Sequence, residues 1–308
     1  MDNLKIDSVV FNASGPRCTS FEELEKIDKT GSRIVLSKSA TLESREGNEK
    51  PRYYDNYMGS INSMGLPNKG IDYYISLTDK IKNPYFISIS GLSLKENIDI
   101  LNKIFESKEK PQGIEINLSC PNIVGKCQLA YSFTELEEYL KEIFNFEFKE
   151  NNIVVGFKLP PYFEIQHFEV VGKILNEYPV DFITCVNSIG NGLIVNHITD
   201  TTYIKPKMGC GGIGGTYLKP TGLSNVWNFY RVFQELNSNI KIIGCGGIKS
   251  GVDAYEYILC GANLVQVGTE FYKEGTDCFD RIQVELDNIV KWKKYKSYDD
   301  FRGKLKVL

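Results

Sequence analysis

One cysteine of this sequence has the setting of a catalytic base. Cys120 lies in the segment 117–122, NLSCPN, where it follows an apolar run and a proline limits the backbone after it. A thiolate in such a place can accept a proton, provided that neighbouring groups lower its pKa. Most cysteines are small buried hydrophobic residues instead, and we interpret Cys185 and Cys260 in that way. Cys120 is therefore the candidate base of a proton-transfer reaction.

Two lysines end apolar runs, where a charge is unusual. Lys38 follows the run 33–37, and Lys158 follows the run 153–157. Because lysine is rarely fully buried without a partner, each indicates a nearby anion or an electron-rich acceptor. The alternative is a side chain that extends to solvent at the rim of the fold. Two lysines that face one mouth suit a flavin, whose N1–C2 edge gains negative charge on reduction.

Amide and hydroxyl side chains near other run ends indicate a polar, planar ligand. Asparagine offers a donor and an acceptor together, which a ring amide or imide would satisfy. Single asparagines at turns are usually structural, so the argument depends on several of them converging. The residues of this kind are Asn62, Asn117, Asn122, Asn187 and Ser188.

Two turns that contain glycine predict a phosphate site. Gly246-Gly247 and Gly268-Thr269 each follow a short apolar run late in the chain. Glycine lets backbone N–H groups approach a phosphate closely, and threonine adds a hydroxyl donor. The glycine run 211–215 has no Walker lysine and no evident helix after it, so it indicates no more than a hinge.

Eight strand–helix units would bring these residues together. The predicted strands are 8–12, 33–37, 85–90, 113–117, 153–157, 181–186, 241–244 and 262–267. The predicted helices are 21–29, 71–81, 94–105, 134–148, 163–176, 223–236, 252–259 and 277–293, and Thr134 with Glu137 has the spacing of a capping box. Eight such units in 308 residues predict an α/β fold, a (β/α)8 TIM barrel. A doubly wound open sheet is the alternative.

Two connections are too long for simple turns. Residues 39–70 and 189–222 each follow the C-terminal end of a predicted strand, the face where barrel enzymes keep their active sites. We therefore expect long inserted loops at that face. No linker or internal repeat interrupts the pattern, which predicts one catalytic domain over 1–308.

Composition narrows the possible partners. With 36 Lys+Arg against 39 Asp+Glu, the formal net charge of −3 gives no general attraction for nucleic acid. The apolar runs are far shorter than a membrane span, and the first residues do not resemble a signal peptide, so we expect a cytoplasmic protein without a membrane partner. The eight cysteines lack zinc-like spacing. The two histidines, His167 and His197, have no partner pattern, so we expect no metal and interpret both as structural.

In this order, the segments resemble the class 1A dihydroorotate dehydrogenases, soluble FMN enzymes of pyrimidine biosynthesis. The resemblance covers nearly the whole chain, and its most specific segments are 62–68, NSMGLPN, and 117–122. It implies oxidation of (S)-dihydroorotate to orotate, in which Cys120 takes the C5 proton and hydride leaves C6 for flavin N5. It also implies fumarate as the electron acceptor, reduced to succinate in the vacated orotate site, and a cytosolic homodimer.

The resemblance implies roles for individual residues as well. Those that match the substrate site are Lys38, Asn62, Met64, Gly65, Leu66, Asn117, Asn122, Asn187 and Ser188. Those that match the FMN site are Ala13, Ser14, Lys38, Ser39, Asn117, Lys158, Val186, Gly215, Gly246, Gly247, Gly268 and Thr269. Lys38 is counted with the catalytic residues beside Cys120. The sequence departs from the family at Met208, where we expect an acidic residue, at Cys210, where we expect an aromatic one, and at Cys245, where a small hydroxyl residue is common.

Several alternatives stay open at this stage. The residues alone do not distinguish FMN from another phosphorylated ligand, nor dihydroorotate from another planar substrate. A class 1B catalytic subunit would pass electrons to NAD through an iron–sulfur partner. A dihydrouridine synthase would need a basic surface for tRNA, which the net charge does not support. Class 2 dihydroorotate dehydrogenases use a serine base, whereas this sequence has Cys120. A barrel that only binds ligands would have lost the polar residues at its strand ends, whereas Cys120, Lys38 and Lys158 are present here.

Overall fold

The structure, a computed structural model, describes residues 8–119 and 129–308. Its strands within these ranges are β1 (Val10–Asn12), β2 (Val35–Leu36), β3 (Tyr53–Asp55), β4 (Ser60–Asn62), β5 (Tyr85–Ile89), β6 (Gly113–Asn117), β7 (Val154–Leu159), β8 (Phe182–Cys185), β9 (Ile189–Leu193), β10 (Val195–Asn196), β11 (Thr201–Thr202), β12 (Cys210–Gly214), β13 (Lys241–Cys245) and β14 (Leu264–Val267). Eight of them form a parallel sheet in the order β1-β14-β13-β8-β7-β6-β5-β2. This sheet confirms the predicted (β/α)8 barrel over the open-sheet alternative.

The α-helices of the described ranges pack around this sheet. They are α1 (Phe21–Asp28), α2 (Ile71–Ile75), α3 (Leu94–Glu106), α4 (Phe133–Ile143), α5 (Ile165–Asn176), α6 (Lys219–Glu235), α7 (Gly251–Leu259), α8 (Thr269–Glu274) and α9 (Asp277–Trp292). Their apolar faces bury large side chains such as Phe229, Phe271 and Phe279 against the strands. No helix in these ranges has both the length and the apolar character that a bilayer span requires.

Some helix boundaries differ from the sequence prediction. The expected capping box at Thr134 is wrong, because α4 begins at Phe133 after Ser132, whose side chain makes no capping bond. The capping box is found instead at α1, where Ser20 and Glu23 satisfy each other's backbone N–H groups. The helix predicted from residue 223 begins at Lys219, since a proline in its first turn is compatible with a helix start.

The barrel closes through a side chain where the strand ladder is missing. Between β1 and β2, Asn12 Nδ2 donates to the carbonyl of Leu36 at 2.7 Å, and the N–H of Leu36 donates to Asn12 Oδ1 at 2.9 Å. Asn12 is fully buried, so its amide acts as one rung of the sheet. This explains why a polar residue occupies the end of an apolar strand.

Asn12→Ala is expected to destabilise the protein by about 2–4 kcal/mol, because it leaves the buried N–H and carbonyl of Leu36 without partners. Chemical denaturation at neutral pH would measure the loss. The matched control is Asn228→Ala on α6, where the amide bonds only to its own helix at the surface, and a change below about 0.5 kcal/mol is expected. Equal losses in the two variants would contradict the closing role of Asn12.

The two long connections pair with each other over the barrel. Strands β3 and β4 from the first pair with β12 and β9 from the second, in a four-stranded antiparallel sheet of order β3-β4-β12-β9. The central pairing aligns Ser60 with Gly214 and Asn62 with Gly212. The glycine run 211–215 is therefore not a hinge. It forms most of β12 and then leads through a 3-10 turn, Gly215–Leu218, into α6.

Candidate active site

A cavity opens at the C-terminal ends of the barrel strands, beneath the four-stranded sheet. Of the residues assigned from the sequence, those that line it are Ala13, Ser14, Lys38, Ser39, Asn62, Met64, Gly65, Leu66, Asn117, Lys158, Val186, Asn187, Ser188, Gly215, Gly246, Gly247, Gly268 and Thr269. Cys120 and Asn122 lie outside the described residues. Ser119, the neighbour of Cys120, is buried and donates its N–H to Asn117 Oδ1 at 3.1 Å.

One end of the cavity is built from backbone that only glycine allows. Gly215, Gly246 and Gly247 have φ of 70°, 130° and 69°, in the left-handed region. A Cβ on Gly247 would lie 2.7 Å from the carbonyl oxygen of Gly215, and one on Gly215 would lie 2.6 Å from the Cα of Gly59. Such close backbone, open to the cavity, is the arrangement that accommodates a phosphate in barrel enzymes.

Hydroxyl groups continue the polar lining of the cavity. Ser60 and Thr269 lie 3.2 Å apart through their side-chain oxygens, which links β4 to the start of α8. Near β1, Ser14 and Ser39 are 3.0 Å apart, and Ser39 is 2.9 Å from Ser88 inside the barrel. These hydroxyls and the glycine backbone form a donor set that fits a phosphorylated ligand.

The two lysines predicted from the sequence are buried beside the cavity. Lys38 and Lys158 are exposed by only 9% and 7%. Lys158 Nζ donates to Gln266 Oε1 at 2.7 Å and lies 3.4 Å from Cys245 Sγ. Burial lowers the pKa of Lys158, but the nearby Cys245 and Glu115 outweigh burial and hold it above the ordinary value. Lys158 therefore presents a fixed positive charge to a ligand with an electron-rich edge.

The amide side chains lie together on the other side of the cavity. Asn187 Nδ2 donates to Asn117 Oδ1 at 3.2 Å, and Asn187 Oδ1 accepts the N–H of Ser188 at 2.8 Å. Asn62, on β4, donates from Nδ2 to the carbonyl of Gly212 on the paired strand β12 at 3.2 Å, which fixes its side chain within the four-stranded sheet. The expected convergence of these amides is therefore what the structure shows, for the members that it describes.

The loop that carries Met64, Gly65 and Leu66 is held by arginines. Arg45 Nε donates to the carbonyl of Gly65 at 3.4 Å. Arg52 Nη1 donates to the carbonyl of Asn48 at 2.8 Å, and the N–H of Asn48 donates in turn to the carbonyl of Met64 at 2.9 Å. Gly65 and Leu66 both have positive φ, at 70° and 58°. The bonds of these arginines to backbone carbonyls indicate that they shape the cavity wall.

Other residues singled out in the sequence lie elsewhere. His167 packs edge-on against Phe133 with ring centroids 5.2 Å apart, which agrees with its structural interpretation. Cys185 and Cys260 are buried, as expected. Burial raises the pKa of the Cys18 thiol to about 11, although nearby Lys38 lowers it in part, so this thiol stays protonated at neutral pH. Met208 is 92% exposed.

Three polar residues in or next to the cavity were missed in the sequence. Glu115 and Ser60 line the cavity, and Gln266 is buried beside it. The sequence prediction treated Glu115 and Gln266 as ordinary strand positions and placed Ser60 in the first long connection. For Glu115 and Gln266 a signal was present, since each is a polar residue between two apolar neighbours in a strand, IEI and VQV. A polar residue in such a run points into a barrel interior or requires a buried partner.

An ion pair joins the helices that follow Gly215 and the Gly246-Gly247 turn at the phosphate end of the cavity. Lys219 Nζ, at the start of α6, lies 2.5 Å from Asp253 Oδ1 on α7. Asp253 Oδ2 also accepts the Ser250 hydroxyl at 2.7 Å and the Lys249 N–H at 3.0 Å. Burial raises the pKa of Asp253, but these donors lower it by more, so it lies below its ordinary value of 3.8.

Asp253→Asn should reduce stability at neutral pH by about 2 kcal/mol, because it removes charge-assisted bonds in a partly buried place. A carboxyl with a lowered folded pKa contributes fully above its unfolded pKa of about 3.9 and loses that contribution as the pH falls through the folded pKa. Denaturation curves from pH 7 to pH 3 should therefore converge for variant and wild type only below about pH 4. Glu256→Gln, which removes the more exposed partner of Lys219, should cost less than about 1 kcal/mol. A constant difference down to pH 3 would contradict this assignment.

Comparison with known proteins places this chain in a family. A family model described as dihydroorotate dehydrogenase matches residues 1–290. A relative from Lactococcus lactis subsp. cremoris (strain MG1363), dihydroorotate dehydrogenase A (fumarate), is 50% identical and covers 99% of this chain and 98% of its own. The dihydroorotate dehydrogenase (fumarate) of Lachancea kluyveri is 47% identical over 99% of this chain and 97% of its own. A ligand-free DHODH structure from Eimeria tenella shares the fold, with a TM-score of 0.79, 19% identity and coverage of 99% and 90%.

Proposed function

The chain belongs to the dihydroorotate dehydrogenase family, and we propose that its cavity carries out the fumarate-dependent reaction named for its closely similar relatives. The protein is an FMN-dependent oxidoreductase that converts dihydroorotate to orotate in pyrimidine biosynthesis, with fumarate as the electron acceptor. The observation that carries this conclusion is identity of 47–50% with fumarate-dependent relatives over 99% of the chain. The cavity agrees with it, because it combines glycine backbone, two buried lysines and clustered amides.

FMN supplies the acceptor for the hydride when it is bound. The residues present fit this group: Gly215, Gly246 and Gly247 provide close backbone for the phosphate, with the Thr269 hydroxyl beside them. Lys158 supplies a buried positive charge for the ring edge that becomes negative on reduction. Ala13, Ser14, Ser39, Val186 and Gly268 complete the cofactor wall, since all five line the same cavity.

The amide cluster holds the substrate ring in this proposal. Asn62, Asn117 and Asn187, with Ser188, offer both donors and acceptors to an imide, and Lys38 offers a buried cation to a carboxylate. The wall formed by Met64, Gly65 and Leu66 borders the same space. Asn122 is assigned to the substrate by the family resemblance, although it lies outside the described residues.

Cys120 is the proposed base that takes the C5 proton of dihydroorotate. Support comes from the resemblance and from the preceding residues. Asn117 lines the cavity, and the carbonyl of Ser119 accepts a hydrogen bond from Asn187 of the cavity at 3.3 Å. Cys120 is the next residue in the chain. In this reaction the base must reach C5 while the hydride acceptor reaches C6, so both must contact the same substrate ring. In this proposal the positive charge of Lys38 assists the reaction of the bound substrate.

Product analysis under anaerobic conditions tests the overall reaction. Purified enzyme supplied with FMN, dihydroorotate and fumarate should form orotate and succinate in equal amounts, because each turnover moves two electrons. NAD in place of fumarate should give no orotate beyond one equivalent per bound flavin. Sustained turnover with NAD only after a partner subunit is added would favour the class 1B reaction instead.

The resemblance also supports a cytoplasmic homodimer of single-domain chains. One continuous apolar core runs through the described parts of 1–308, which supports a single domain. The segment from the end of β9 to the turn before β12 exposes four large apolar side chains, by 54% to 92%: Leu193, Val195, Ile198 and Met208. Exposed apolar groups within one short stretch of sequence favour burial against a second copy. We propose this surface as the dimer interface.

Ile198→Lys combined with Met208→Lys should convert the dimer to a monomer, because two buried charges without partners would oppose association. Sedimentation at several protein concentrations measures the change. The matched control is Val284→Lys with Val307→Lys, which alters two other exposed valines and should leave the dimer intact. A dimer that survives the first pair of substitutions would place the interface elsewhere.

A further inference from the structure

A chain of four polar side chains crosses the barrel interior below the cavity. Thr184 Oγ1 and Gln266 Nε2 both donate to Glu115 Oε2, each at 2.7 Å, and Lys158 Nζ donates to Gln266 Oε1 at 2.7 Å. Their exposed fractions are 0% for Thr184, 1% for Glu115 and Gln266 and 7% for Lys158. Burying polar groups in such a row costs free energy unless they are hydrogen-bonded.

The carboxylate of Glu115 fixes the orientation of the Gln266 amide. An amide nitrogen can only donate, so it must face the carboxylate, and the amide oxygen must then face Lys158. The reverse orientation would place the amide oxygen against the carboxylate and an N–H against the ammonium. Gln266 therefore transmits the position of Glu115 to Lys158 without a direct contact between the two charges.

Glu115 also supplies the negative charge that a buried ammonium requires. The ionisable groups that face Lys158 are Glu115 on β6, Cys185 on β8 and Cys245 on β13. Cys245 contributes most to the raised pKa of Lys158 and Glu115 contributes next. Burial raises the pKa of both thiols. Glu115 is the carboxyl group of the three, and both it and Lys158 line the cavity.

We infer that Glu115, acting through Gln266, is a positioning residue that keeps Lys158 protonated and directed at the cavity. An ammonium has three N–H donors, and Gln266 and Cys245 are the partners described for two of them. The third serves the flavin ring edge, so the inference rests on the proposed FMN site. Its consequence is that the affinity of the protein for reduced flavin depends on a carboxylate that acts through Lys158.

Glu115→Gln tests the charge without changing the shape. The reduction potential of bound FMN, measured against a reference dye from pH 6 to pH 9, is a readout separate from turnover. At pH 6 Lys158 stays protonated, and loss of the anion should leave the potential equal to or above the wild-type value. As the pH rises, Lys158 loses its proton and the preference for reduced flavin should fall about tenfold below wild type, or about 30 mV for a two-electron couple.

Gln266→Met tests the connection between Glu115 and Lys158, and it tests the positioning role even if Glu115→Gln does not fold. It removes both hydrogen bonds of the Gln266 amide, keeps a side chain of similar volume at position 266 and leaves the Glu115 carboxyl group in place. The preference for reduced flavin should then fall about tenfold at every pH, because Lys158 loses its position. Thr184→Val is the matched control, since it removes only the bond on the far side of Glu115, and a smaller shift is expected.

The outcomes separate this inference from the proposed function. A Glu115→Gln difference that is the same at all pH values, or a Gln266→Met potential equal to wild type, would overturn the positioning role while leaving the flavin reaction in place. Wild-type protein that binds no FMN, or whose bound FMN is not reduced by dihydroorotate, would overturn the proposed function instead. A difference that grows with pH in Glu115→Gln supports the inference.

Discussion

Cys120→Ala should lower turnover with dihydroorotate and fumarate at neutral pH by a factor of about 10³, while FMN stays bound. Positioned general bases contribute about 10²–10⁴ to the rate. Cys245, the cysteine that the described residues place in the cavity wall, cannot replace Cys120, because burial raises the pKa of its thiol. The measurement is the rate of flavin reduction by dihydroorotate, with FMN content determined separately. The residue acts on the proton, so the cofactor site should be unaffected.

Two further variants sharpen this test. Cys120→Ser should recover part of the rate as the pH rises, because a hydroxyl needs a higher pH than a thiol to act as a base. Cys210→Ala changes a thiol on β12 that does not line the cavity and should keep nearly full activity. If Cys120→Ala reduced its flavin at the wild-type rate, another residue would be the base.

Lys158→Met should lower the rate of flavin reduction by a factor of about 10²–10³. The substitution keeps the length of the side chain but removes the buried positive charge that favours negative charge on the reduced ring. It also leaves Gln266 and Glu115 without their cation, so affinity for FMN should weaken. Stopped-flow absorbance under anaerobic conditions measures the rate, and fluorescence titration of the apoprotein measures FMN binding.

The control for this variant is Lys141→Met on α4, which makes the same change of charge on the outside of the barrel. It should reduce its flavin at the wild-type rate, since the charge is far from the cavity and screened by solvent. Unchanged FMN affinity and reduction in Lys158→Met would remove Lys158 from the cofactor site. A loss of the same size in Lys141→Met would point to net charge rather than to position.

The barrel could be predicted because its signal is local and repeats eight times. Each strand is a short apolar run and each helix has an apolar face, so small errors at one boundary do not change the architecture. Parallel strands bring their C-terminal ends to one face, which is why residues as distant in sequence as Lys38 and Gly268 could be placed together. The helix boundaries were less certain, since Ser20 and Thr134 both have capping spacing and only the first forms a cap.

The sheet over the cavity could not be predicted from the sequence. Strands β4 and β12 are about 150 residues apart, as the bond from Asn62 to Gly212 shows, and neither has an alternating pattern strong enough to mark it as a strand. The partnership of Glu115 and Gln266 was missed for a similar reason. Each residue can be recognised as unusual in its own strand, but only the register of the barrel shows that the two side chains meet.

The most direct test of the central claim is an anaerobic visible spectrum of the purified protein with FMN. Addition of dihydroorotate should bleach the flavin band, and fumarate should then restore it, because both compounds react at the same cavity. Bleaching without recovery would contradict fumarate as the acceptor and favour transfer to NAD through a partner subunit. A flavin band that dihydroorotate leaves unchanged would contradict the reaction proposed for this cavity.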